Sequence, residues 1–423
     1  MKKYFFNEDI LLIKWLKYIK KNCKKKYNFS MFNIIKVAKK LNILKLSSFV
    51  ITVSGTNGKG STCAILERCF LNSGYTVGLY TSPHLFNYYE RIRINGKYIK
   101  KSFMHINAFL KVELARKNNQ LTYFEFITLS ALLLFKERNL NVIILEVGLG
   151  GRLDATNIIN PNIAIITNIG LDHTSILGNS RDDIGYEKSG IFRKGIKVII
   201  GDDNIPNSIY KMAYIFKVIL YRKNYEWNWY ELKNYWNFYD QYGILNNIPI
   251  PKVSFLSAAI AIAALRVSSF KIDKNVILKS INTVFLMGRF QIIYKKPIII
   301  VDVAHNSDAT FYLSQRLKKL LYIKGNIKLY ALIGMLSKKD IKGTISSLIN
   351  IIDYWYYTIL NTHQTATIND LKKHLPKNAI YCISVKKALY QLIQKVQKND
   401  IILIFGSFFT VSEAITAMRT LNL

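Results

Sequence analysis

A glycine-rich loop between a strand-like run and a helix-like run constrains the fold of this chain more than any other feature. The run SSFVITVSG is rich in β-branched residues and ends at Gly55, and KGSTCAILERCFLNSG then places apolar residues at helical spacing, with Gly74 positioned to end the helix. Main-chain amides at the start of a helix point towards an anion bound in such a loop. The sequence therefore predicts a phosphate site at residues 55–60.

This loop departs from the common phosphate-binding pattern G-x-x-x-x-G-K-[ST] at two positions. Counting from Lys59, the first glycine falls on Val53, and the hydroxyl residue that usually holds Mg²⁺ falls on Gly60. Gly55, Gly58 and Gly60 would still let the backbone approach phosphates closely, and Lys59 supplies a positive charge. By itself, the pattern fits a plain glycine turn as well as a nucleotide site.

Strand-like and helix-like runs alternate along the rest of the chain, which predicts an α/β fold with a mostly parallel sheet. The strand-like runs include YTVGLYTS, NVIILEVG, NIAIITNI, PIIIVDVAHN, IKLYALIGM, IDYWYYTIL and DIILIFGSFF. We expect an N-terminal P-loop ATPase-like domain over residues 1–287 and a smaller C-terminal Rossmann-like α/β domain over residues 288–423. The cleft between two such domains is the expected place for an active site.

Composition and targeting signals indicate a cytoplasmic protein. No apolar run approaches the roughly 20 residues that a membrane helix needs. The basic N-terminal segment MKKYFFNEDILLIKWLKYIKKN is interrupted by charges and has no cleavage site after it, so it predicts an amphipathic helix. Cys63 and Cys69 fall in the helix after the glycine loop, where buried free thiols are expected, as in a reducing compartment.

The net charge of +34 raises the alternative of nucleic-acid binding. The lysines are instead spread from end to end together with many Ile, Asn and Tyr, all residues with A/T-rich codons. A compositional bias of the genome accounts for this charge better than a binding face does. We therefore expect no nucleic-acid partner and no membrane partner, although the basic field would help to gather anionic substrates.

Polar residues follow three of the predicted strands. Glu146 ends a buried apolar strand, His173 follows the next strand beside Asp172, and Ser82 lies in LYTSPHL. A buried carboxylate is costly unless it is paired or bound to a metal. Because ligands gather at the carboxyl edge of parallel sheets, these residues predict a Mg²⁺ site next to the phosphate loop, although each alone also fits a simple loop role.

Nine motifs together resemble the folylpolyglutamate synthase/dihydrofolate synthase family of the murein-ligase superfamily. They are SGTNGKGST, TSPHL, LTYFEF, LEVGLGGRLDATN, LDHTSILG, EKSGIFR, GRFQ, DVAHN and IFGSFFTV. They occur in the order and spacing of the family over nearly the whole chain, and GTNGKGS with EVGLGGRLDATN is the most specific pair.

The resemblance implies an ATP-dependent ligase that adds L-glutamate to 7,8-dihydropteroate, and further glutamates to tetrahydrofolate. The substrate carboxylate would attack the γ-phosphate of ATP to give an acyl phosphate, which the amino group of glutamate then attacks. Positioning and charge neutralisation dominate such phosphoryl and acyl transfers. The partners expected are ATP, the folate acceptor, L-glutamate and two Mg²⁺ ions, and the protein is expected to be a monomer.

The family motifs also imply roles for individual residues. Lys59, Lys188 and His305 would be catalytic, and Lys188 would be carbamylated to become a ligand of a second Mg²⁺. The metal ligands would be Ser82, Glu146, His173 and Lys188. The ATP-binding residues would be Asn57, Gly58, Lys59, Gly60, Ser61, Ser257, Arg289 and Asp302. The pterin-binding residues would be Thr122, Tyr123, Phe124, Glu125, Leu153, Asp154 and Ala155, with Phe124 able to stack on the ring.

Four positions depart from the family pattern. Ser257 replaces the asparagine that contacts adenine, Asn28 replaces an acid in the altered 28–33 loop, Gln364 replaces an arginine, and Phe409 replaces a histidine. None is a phosphate or metal position. They leave open an enzyme that makes dihydrofolate only, with the polyglutamylating activity lost.

Two further alternatives are weighed here. A murein-peptide ligase would need a UDP-sugar domain before the loop, and the 54 residues before Gly55 give it no room. A decayed paralogue that only binds ATP is the other alternative, and random loss of function would not be expected to spare one group of residues. The residues that speak against it by being intact are Lys59, Glu146, His173, Lys188 and Asp302.

Overall fold

The computed structural model describes residues 2–23, 30–325 and 327–420. The chain divides into two compact units, Met1–Val284 and Phe285–Leu423. Each unit is an α/β structure with its own sheet, which confirms the predicted fold class. No helix in these described ranges is long and apolar enough to cross a membrane.

The first unit contains helices α1–α10 and strands β1–β11 within the described residues. The helices α1–α10 are, in order, Lys2–Asn22, Phe32–Lys40, Lys59–Asn72, Ser102–Arg116, Tyr123–Lys136, Thr174–Leu177, Arg181–Ser189, Asn207–Phe216, Phe255–Val267 and Lys274–Thr283. The strands β1–β11 are Phe49–Ser54, Val77–Tyr80, Ile92–Ile94, Lys97–Tyr98, Val142–Glu146, Ile163–Ile166, Lys197–Ile200, Ile219–Arg222, Trp227–Glu231, Tyr235–Asp240 and Gly243–Pro249. Short 3₁₀ helices lie at Tyr88–Arg91 and Ala155–Ile158.

Eight strands form the main sheet of this unit, in the order β4-β3-β2-β5-β1-β6-β7-β8. The six strands from β2 to β8 in that order run parallel, and β3 and β4 add an antiparallel edge. Because β1 lies between β5 and β6, the loop after β1 emerges among the carboxyl ends of its neighbours. The strands β1 and β5 are almost wholly buried, as their continuous apolar runs predict.

Helices cover this sheet, and the predicted helices are present. The structure confirms the amphipathic N-terminal helix as α1. The helix after the glycine loop is α3. Gly74 follows its C-cap residue, Ser73, and adopts the left-handed region at φ +85°. Helix α3 packs against α9, and α4 packs against α5. Cys63 and Cys69 are buried free thiols inside α3, as expected.

A second, three-stranded antiparallel sheet, β11-β10-β9, was not expected from the strand–helix alternation. The indole rings of Trp227 and Trp236 and the ring of Phe238 are buried beneath it. Its strands pair locally through short turns, so they need no crossover helix. The alternation of strands and helices, which predicts parallel units, therefore does not predict this antiparallel sheet.

The second unit has a six-stranded sheet in the order β12-β13-β17-β14-β15-β16. Strands β12–β17 are Gln291–Lys295, Ile298–Asp302, Leu329–Ile333, Tyr354–Thr358, Ile380–Cys382 and Ile401–Phe405. Helices α11–α15 are Ser307–Lys324, Ile341–Ser346, Ile368–Lys372, Val385–Lys395 and Phe408–Thr420. All pairs are parallel except β12 with β13. This agrees with the predicted smaller α/β domain.

Candidate active site

The glycine loop has the geometry of an anion site. It connects β1 to α3, and Gly58, the residue before the helix, adopts φ +86°. A side chain at this position would be strained, and its Cβ would also lie 2.9 Å from the hydroxyl oxygen of Ser257. The first turn of α3, which includes Gly60 and Ser61, presents main-chain N–H groups that have no acceptor within the helix.

Lys59 folds back over this loop. Its Nζ donates hydrogen bonds to the carbonyl oxygens of Gly55, at 2.8 Å, and Thr56, at 3.1 Å. The ammonium group therefore lies at the mouth of the loop, where it would meet the phosphates of a nucleotide. The predicted position of this charge agrees with the structure.

The segment after β6, residues 167–173, supports the loop from the side. The Asn168 carbonyl oxygen accepts from the N–H of Thr56 at 3.0 Å, and its Oδ1 accepts from the N–H of Asn57 at 2.8 Å. The hydroxyl of Thr167 donates to the carbonyl oxygen of Asn57 at 2.6 Å. The main chain of Asn57 is thus held by the protein, and the anion-facing amides are those at the start of α3.

The carboxylate of Glu146 lies next to Gly60, the position at which the usual phosphate loop has its hydroxyl residue. A Cβ on Gly60 would lie 3.5 Å from Glu146 Oε1 and 3.7 Å from Oε2. Glu146 is only 5 % exposed and is paired in register with Val53 of β1. Its Oε2 accepts a hydrogen bond from the main-chain N–H of Ser82 at 3.0 Å. The structure therefore brings Ser82, Glu146 and Gly60 together.

Lys188 is buried in the last turn of α7, with 3 % of its surface exposed. Burial lowers the pKa of its amine well below the usual value; the positive charge of Lys59 adds to this, and Asp172 opposes it. A lysine with this environment favours the neutral, nucleophilic form.

His173 follows in the same segment, with its backbone in the left-handed region at φ +53°. Its side chain is 43 % exposed, and Nε2 lies 3.9 Å from Oδ1 of Asp172. Strand β1 lies between β5 and β6, so Glu146 at the end of β5 and His173 after β6 come from the two strands that flank β1, as the expectation of neighbouring strand ends requires.

No group of three or more His, Cys, Asp and Glu side chains in the described part of the chain is placed to hold a metal ion. The predicted ligand set contains only two residues of those types, and its other members are a serine and a lysine. An ion there would depend on Ser82, on a modified Lys188 and on phosphate oxygens of the nucleotide.

Ser257 packs against the phosphate loop from α9. Its hydroxyl lies 2.7 Å from that of Ser254 and donates to the carbonyl oxygen of Gly58 at 3.4 Å. The side chain is almost fully buried. This residue, predicted to face ATP, therefore also fixes the backbone of the loop.

The two segments predicted to bind the pterin meet in the structure. A Cβ on Gly148 would come within 2.6 Å of the Phe124 ring and 3.2 Å of Asp154 Oδ2, so the ring edge and the carboxylate both lie against this glycine. The Tyr80 and Phe124 rings are 5.9 Å apart. Asp154 accepts hydrogen bonds from the amides of Leu149 and Thr156, and burial raises the pKa of its carboxyl against the effect of these bonds.

Some of the predicted pterin residues also have structural roles. Thr122 and Glu125 form a capping box at the start of α5, in which each side chain accepts from the other's main-chain N–H. Ala155 begins the 3₁₀ helix that Asp154 caps, and Leu153 and Tyr123 are half-buried beside these segments. These contacts hold the two segments rigid.

Arg91 and His84 were missed by the sequence reasoning. Arg91 is 9 % exposed, and its Nε donates to Nδ1 of His84 at 2.8 Å. Burial, with the nearby Arg91 charge, lowers the pKa of His84 to about 4. Burial raises the pKa of Tyr80 and Tyr123, and the positive charge of Arg91 lowers it in part. A buried cation therefore lies beside the predicted pterin segments, and the available signal was His84 within the TSPHL motif.

In the second unit, the predicted nucleotide residues cluster at the end of β13. The Asp302 carboxylate accepts from the N–H groups of Phe290 at 2.7 Å and Ala304 at 2.8 Å. Burial raises its pKa, against the lowering effect of Arg289. Arg289 lies 5.3 Å from the centre of the Phe408 ring, and the His305 ring lies 6.4 Å from it. The structure thus brings Arg289, Asp302 and His305 to one edge of this unit.

Three of the four departures from the family pattern lie in the described residues. Ser257 is buried against the phosphate loop, whereas the side chain of Phe409 is 44 % exposed. The main-chain carbonyl oxygen of Gln364 accepts a hydrogen bond from the main-chain N–H of Ser337. Asn28 lies outside the described residues. The effect of these departures on substrate affinity stays a prediction.

The sequence of this chain matches two family models and is similar to proteins of known function. Residues 53–261 match the family model of the Mur ligase middle domain, and residues 288–408 match that of the Mur ligase glutamate ligase domain. The chain is 51 % identical, over 409 residues, to the dihydrofolate synthase/folylpolyglutamate synthase of Buchnera aphidicola subsp. Acyrthosiphon pisum, with 96 % of this chain and 98 % of that protein covered.

Two solved structures are also similar along nearly the whole chain. Escherichia coli FolC in complex with DHPP and ADP is 42 % identical with a TM-score of 0.94, covering 97 % of this chain and 98 % of that one. The Yersinia pestis bifunctional folylpolyglutamate synthase/dihydrofolate synthase complexed with AMPPNP and Mn ion is 40 % identical with a TM-score of 0.91 and the same coverage.

Proposed function

This chain belongs to the dihydrofolate synthase/folylpolyglutamate synthase family of the Mur ligase superfamily, and on that premise we propose how its residues catalyse the reaction. The enzyme is an ATP-dependent, amide-forming ligase that adds L-glutamate to folate precursors. We assign it 7,8-dihydropteroate as the first acceptor and tetrahydrofolate as the acceptor of further glutamates. The reaction passes through an acyl phosphate of the acceptor carboxylate.

The single observation that carries the residue assignment is the position of Glu146 against Gly60. The buried carboxylate of Glu146 lies 3.5 Å from where a Cβ on Gly60 would be, which places an oxygen ligand for a cation beside the phosphate loop. The ammonium group of Lys59 is bonded to the main chain of the same loop. Lys59 and the amides at the start of α3 would thus bind the phosphates of a nucleotide, and the carboxylate of Glu146 would bind the metal ion that accompanies them.

The residues present fit Mg²⁺. Ser82, Glu146 and His173 offer two oxygen ligands and one imidazole, and oxygen ligands are those that Mg²⁺ prefers. These three residues would hold the ion, which when bound would supply positive charge to neutralise the phosphates during transfer. Lys59 and the amides at the start of α3 bind the same phosphates and orient the γ-phosphate towards the acceptor carboxylate.

Lys188 would add a further ligand after reaction with CO₂. A neutral amine attacks the carbon of CO₂, an N–C bond forms, and the nitrogen releases one proton, which leaves a carbamate anion. Burial favours the neutral amine, since it lowers the pKa of Lys188. The product is a carboxylate-like group close to the loop, where a second Mg²⁺ would take it as a ligand.

The acceptor would lie against Phe124 and Asp154. The absence of a side chain at Gly148 lets the ring of Phe124 and the carboxylate of Asp154 lie side by side, and the aromatic face of Phe124 would stack on the pterin. In the second unit we assign nucleotide contacts to Arg289 and Asp302, and proximity to the reacting groups to His305. Leu153 and Ala155 complete the pterin-binding set.

The test measures phosphate release from ATP by purified protein with Mg²⁺ and L-glutamate, with dihydropteroate or tetrahydrofolate added in turn. Activity with both acceptors is expected. Activity with dihydropteroate alone would establish the narrower enzyme that has lost polyglutamylation, and activity with neither acceptor would overturn the proposal. Lys59→Ala should abolish turnover with both acceptors, whereas Lys45→Ala, at an exposed lysine of the same unit, should leave it unchanged.

A further inference from the structure

An arginine and an aspartate outside the predicted site hold the segment that supports the phosphate loop. Ile169, in the middle of residues 167–173, donates its main-chain N–H to Oδ2 of Asp202 at 2.7 Å. Its carbonyl oxygen accepts from Nε of Arg181 at 2.8 Å. Nη2 of Arg181 closes the ring with Oδ1 of Asp202 at 2.6 Å. We call this ring the Ile169 clamp.

The clamp holds a segment with contacts to both halves of the site. On one side of Ile169, Asn168 binds the main chain of Thr56 and Asn57. On the other side, Gly170 donates its N–H to the Thr56 hydroxyl at 3.0 Å and accepts from it at 3.2 Å. The clamped segment then continues to Asp172 and His173. Its position therefore sets both the loop that would bind phosphate and a proposed metal ligand.

The clamp also fixes helix α7. Arg181 is the first residue of this helix, and Lys188 lies in its last turn. A helix is stiff over this length, so the position of its first residue determines where Lys188 lies. Asp202 is itself fixed, because it is 8 % exposed and its Oδ1 also accepts from the N–H of Asn204 at 2.9 Å.

We propose that Arg181 and Asp202 are positioning residues for the metal–nucleotide site, which they shape through the main chain of Ile169. An ordinary ion pair at this exposure contributes at most about 1 kcal/mol to stability and would not affect ligand binding. The clamp differs because both of its members bond the backbone of one residue in a functional segment. Groups of this kind, which orient metal ligands without touching the ion, typically affect affinity by about 10- to 100-fold.

The inference rests on the function proposed for the same site, so its test reads binding as well as activity. The variants are Arg181→Met, which removes both donors, and Arg181→Lys and Asp202→Asn, which each keep part of the ring. Arg222→Met is the matched control, because Arg222, the last residue of β8 in the same unit, is also paired with a carboxylate, that of Glu226, and has a similarly exposed side chain. Calorimetry measures binding of AMPPNP in the presence of Mn²⁺, and thermal unfolding checks the fold.

Arg181→Met is expected to weaken AMPPNP binding at least about 10-fold. Arg181→Lys should lie between Arg181→Met and the wild type in its affinity for AMPPNP, because it keeps one of the two donors. If Arg181→Met does not fold, Arg181→Lys and Asp202→Asn carry the same test, each with an expected partial loss.

Folded clamp variants that bind AMPPNP as tightly as the wild type would overturn the inference. An equal loss in Arg222→Met would overturn it as well, because any ion pair of the unit would then have the same effect. A wild type that binds AMPPNP with Mn²⁺ but releases no phosphate with either acceptor would refute the proposed function while the clamp remains measurable by binding. A wild type without nucleotide binding would refute both.

Discussion

Replacing Gly60 by alanine should separate the stability of this protein from its activity. The added Cβ would lie 3.5 Å and 3.7 Å from the two carboxylate oxygens of Glu146, which is ordinary van der Waals contact, so no steric cost is expected. Because alanine loses less backbone entropy than glycine in a helix, the free energy of unfolding should stay equal or rise by about 0.5–1 kcal/mol.

Activity should change in the opposite direction. The methyl group of Gly60→Ala would stand between the phosphate loop and Glu146, at the place proposed for the ion. Removing one such charge contact typically reduces kcat by about 10²- to 10³-fold, or roughly 3–4 kcal/mol of transition-state stabilisation. The assay is phosphate release with dihydropteroate, run beside urea unfolding of the same preparations.

Gly74→Ala, at the other end of the same helix, is the control. Gly74 has φ +85° and open space around it, so alanine there should cost about 1–2 kcal/mol of stability and leave kcat unchanged. The reasoning fails if Gly60→Ala keeps kcat within about threefold of the wild type, or if its activity falls only in proportion to a loss of folded protein.

Four further predictions concern other parts of the site. Folding leaves Lys188 deprotonated over a pH range where the unfolded chain binds the proton, so the free energy of unfolding of the wild type, relative to Lys188→Met, should rise with pH. The free energy of unfolding should rise by at most about 1.4 kcal/mol per pH unit, and the rise should stop near pH 10.5, the usual pKa of a lysine in an unfolded chain. Urea unfolding in CO₂-free buffer at a series of pH values measures this dependence. Lys188→Ala should be inactive and partly rescued by added short carboxylates in the phosphate-release assay; no rescue at any concentration would argue against a carbamate ligand. Gly58→Ala should cost about 1–2 kcal/mol in thermal unfolding, because it combines a left-handed backbone with a Cβ 2.9 Å from Ser257, and a neutral result would contradict the loop geometry. Arg91→Met should raise the KM for dihydropteroate about 10-fold with Arg91→Lys intermediate, and equal steady-state constants would remove Arg91 from the acceptor site.

Local patterns in the sequence predict much of this molecule. The β-branched run before Gly55 and the helical spacing after it predict β1, the loop and α3, since each depends on residues close in the chain. Motifs that follow strand ends point to Ser82, Glu146 and His173 for the same reason. The family resemblance adds the chemistry, because the order and spacing of the motifs indicate roles for residues whose neighbours in the sequence do not reveal them.

Contacts between distant segments are decided only by the tertiary structure. The strand order puts β1 between β5 and β6, which sets Gly60 against Glu146 and gives the missing hydroxyl its physical explanation. Periodicity reports which face of a strand is buried but not which strand lies beside it. The burial of Lys188, the Arg91–His84 hydrogen bond and the Ile169 clamp also depend on how the elements pack together, which the spacing of these residues along the chain does not show.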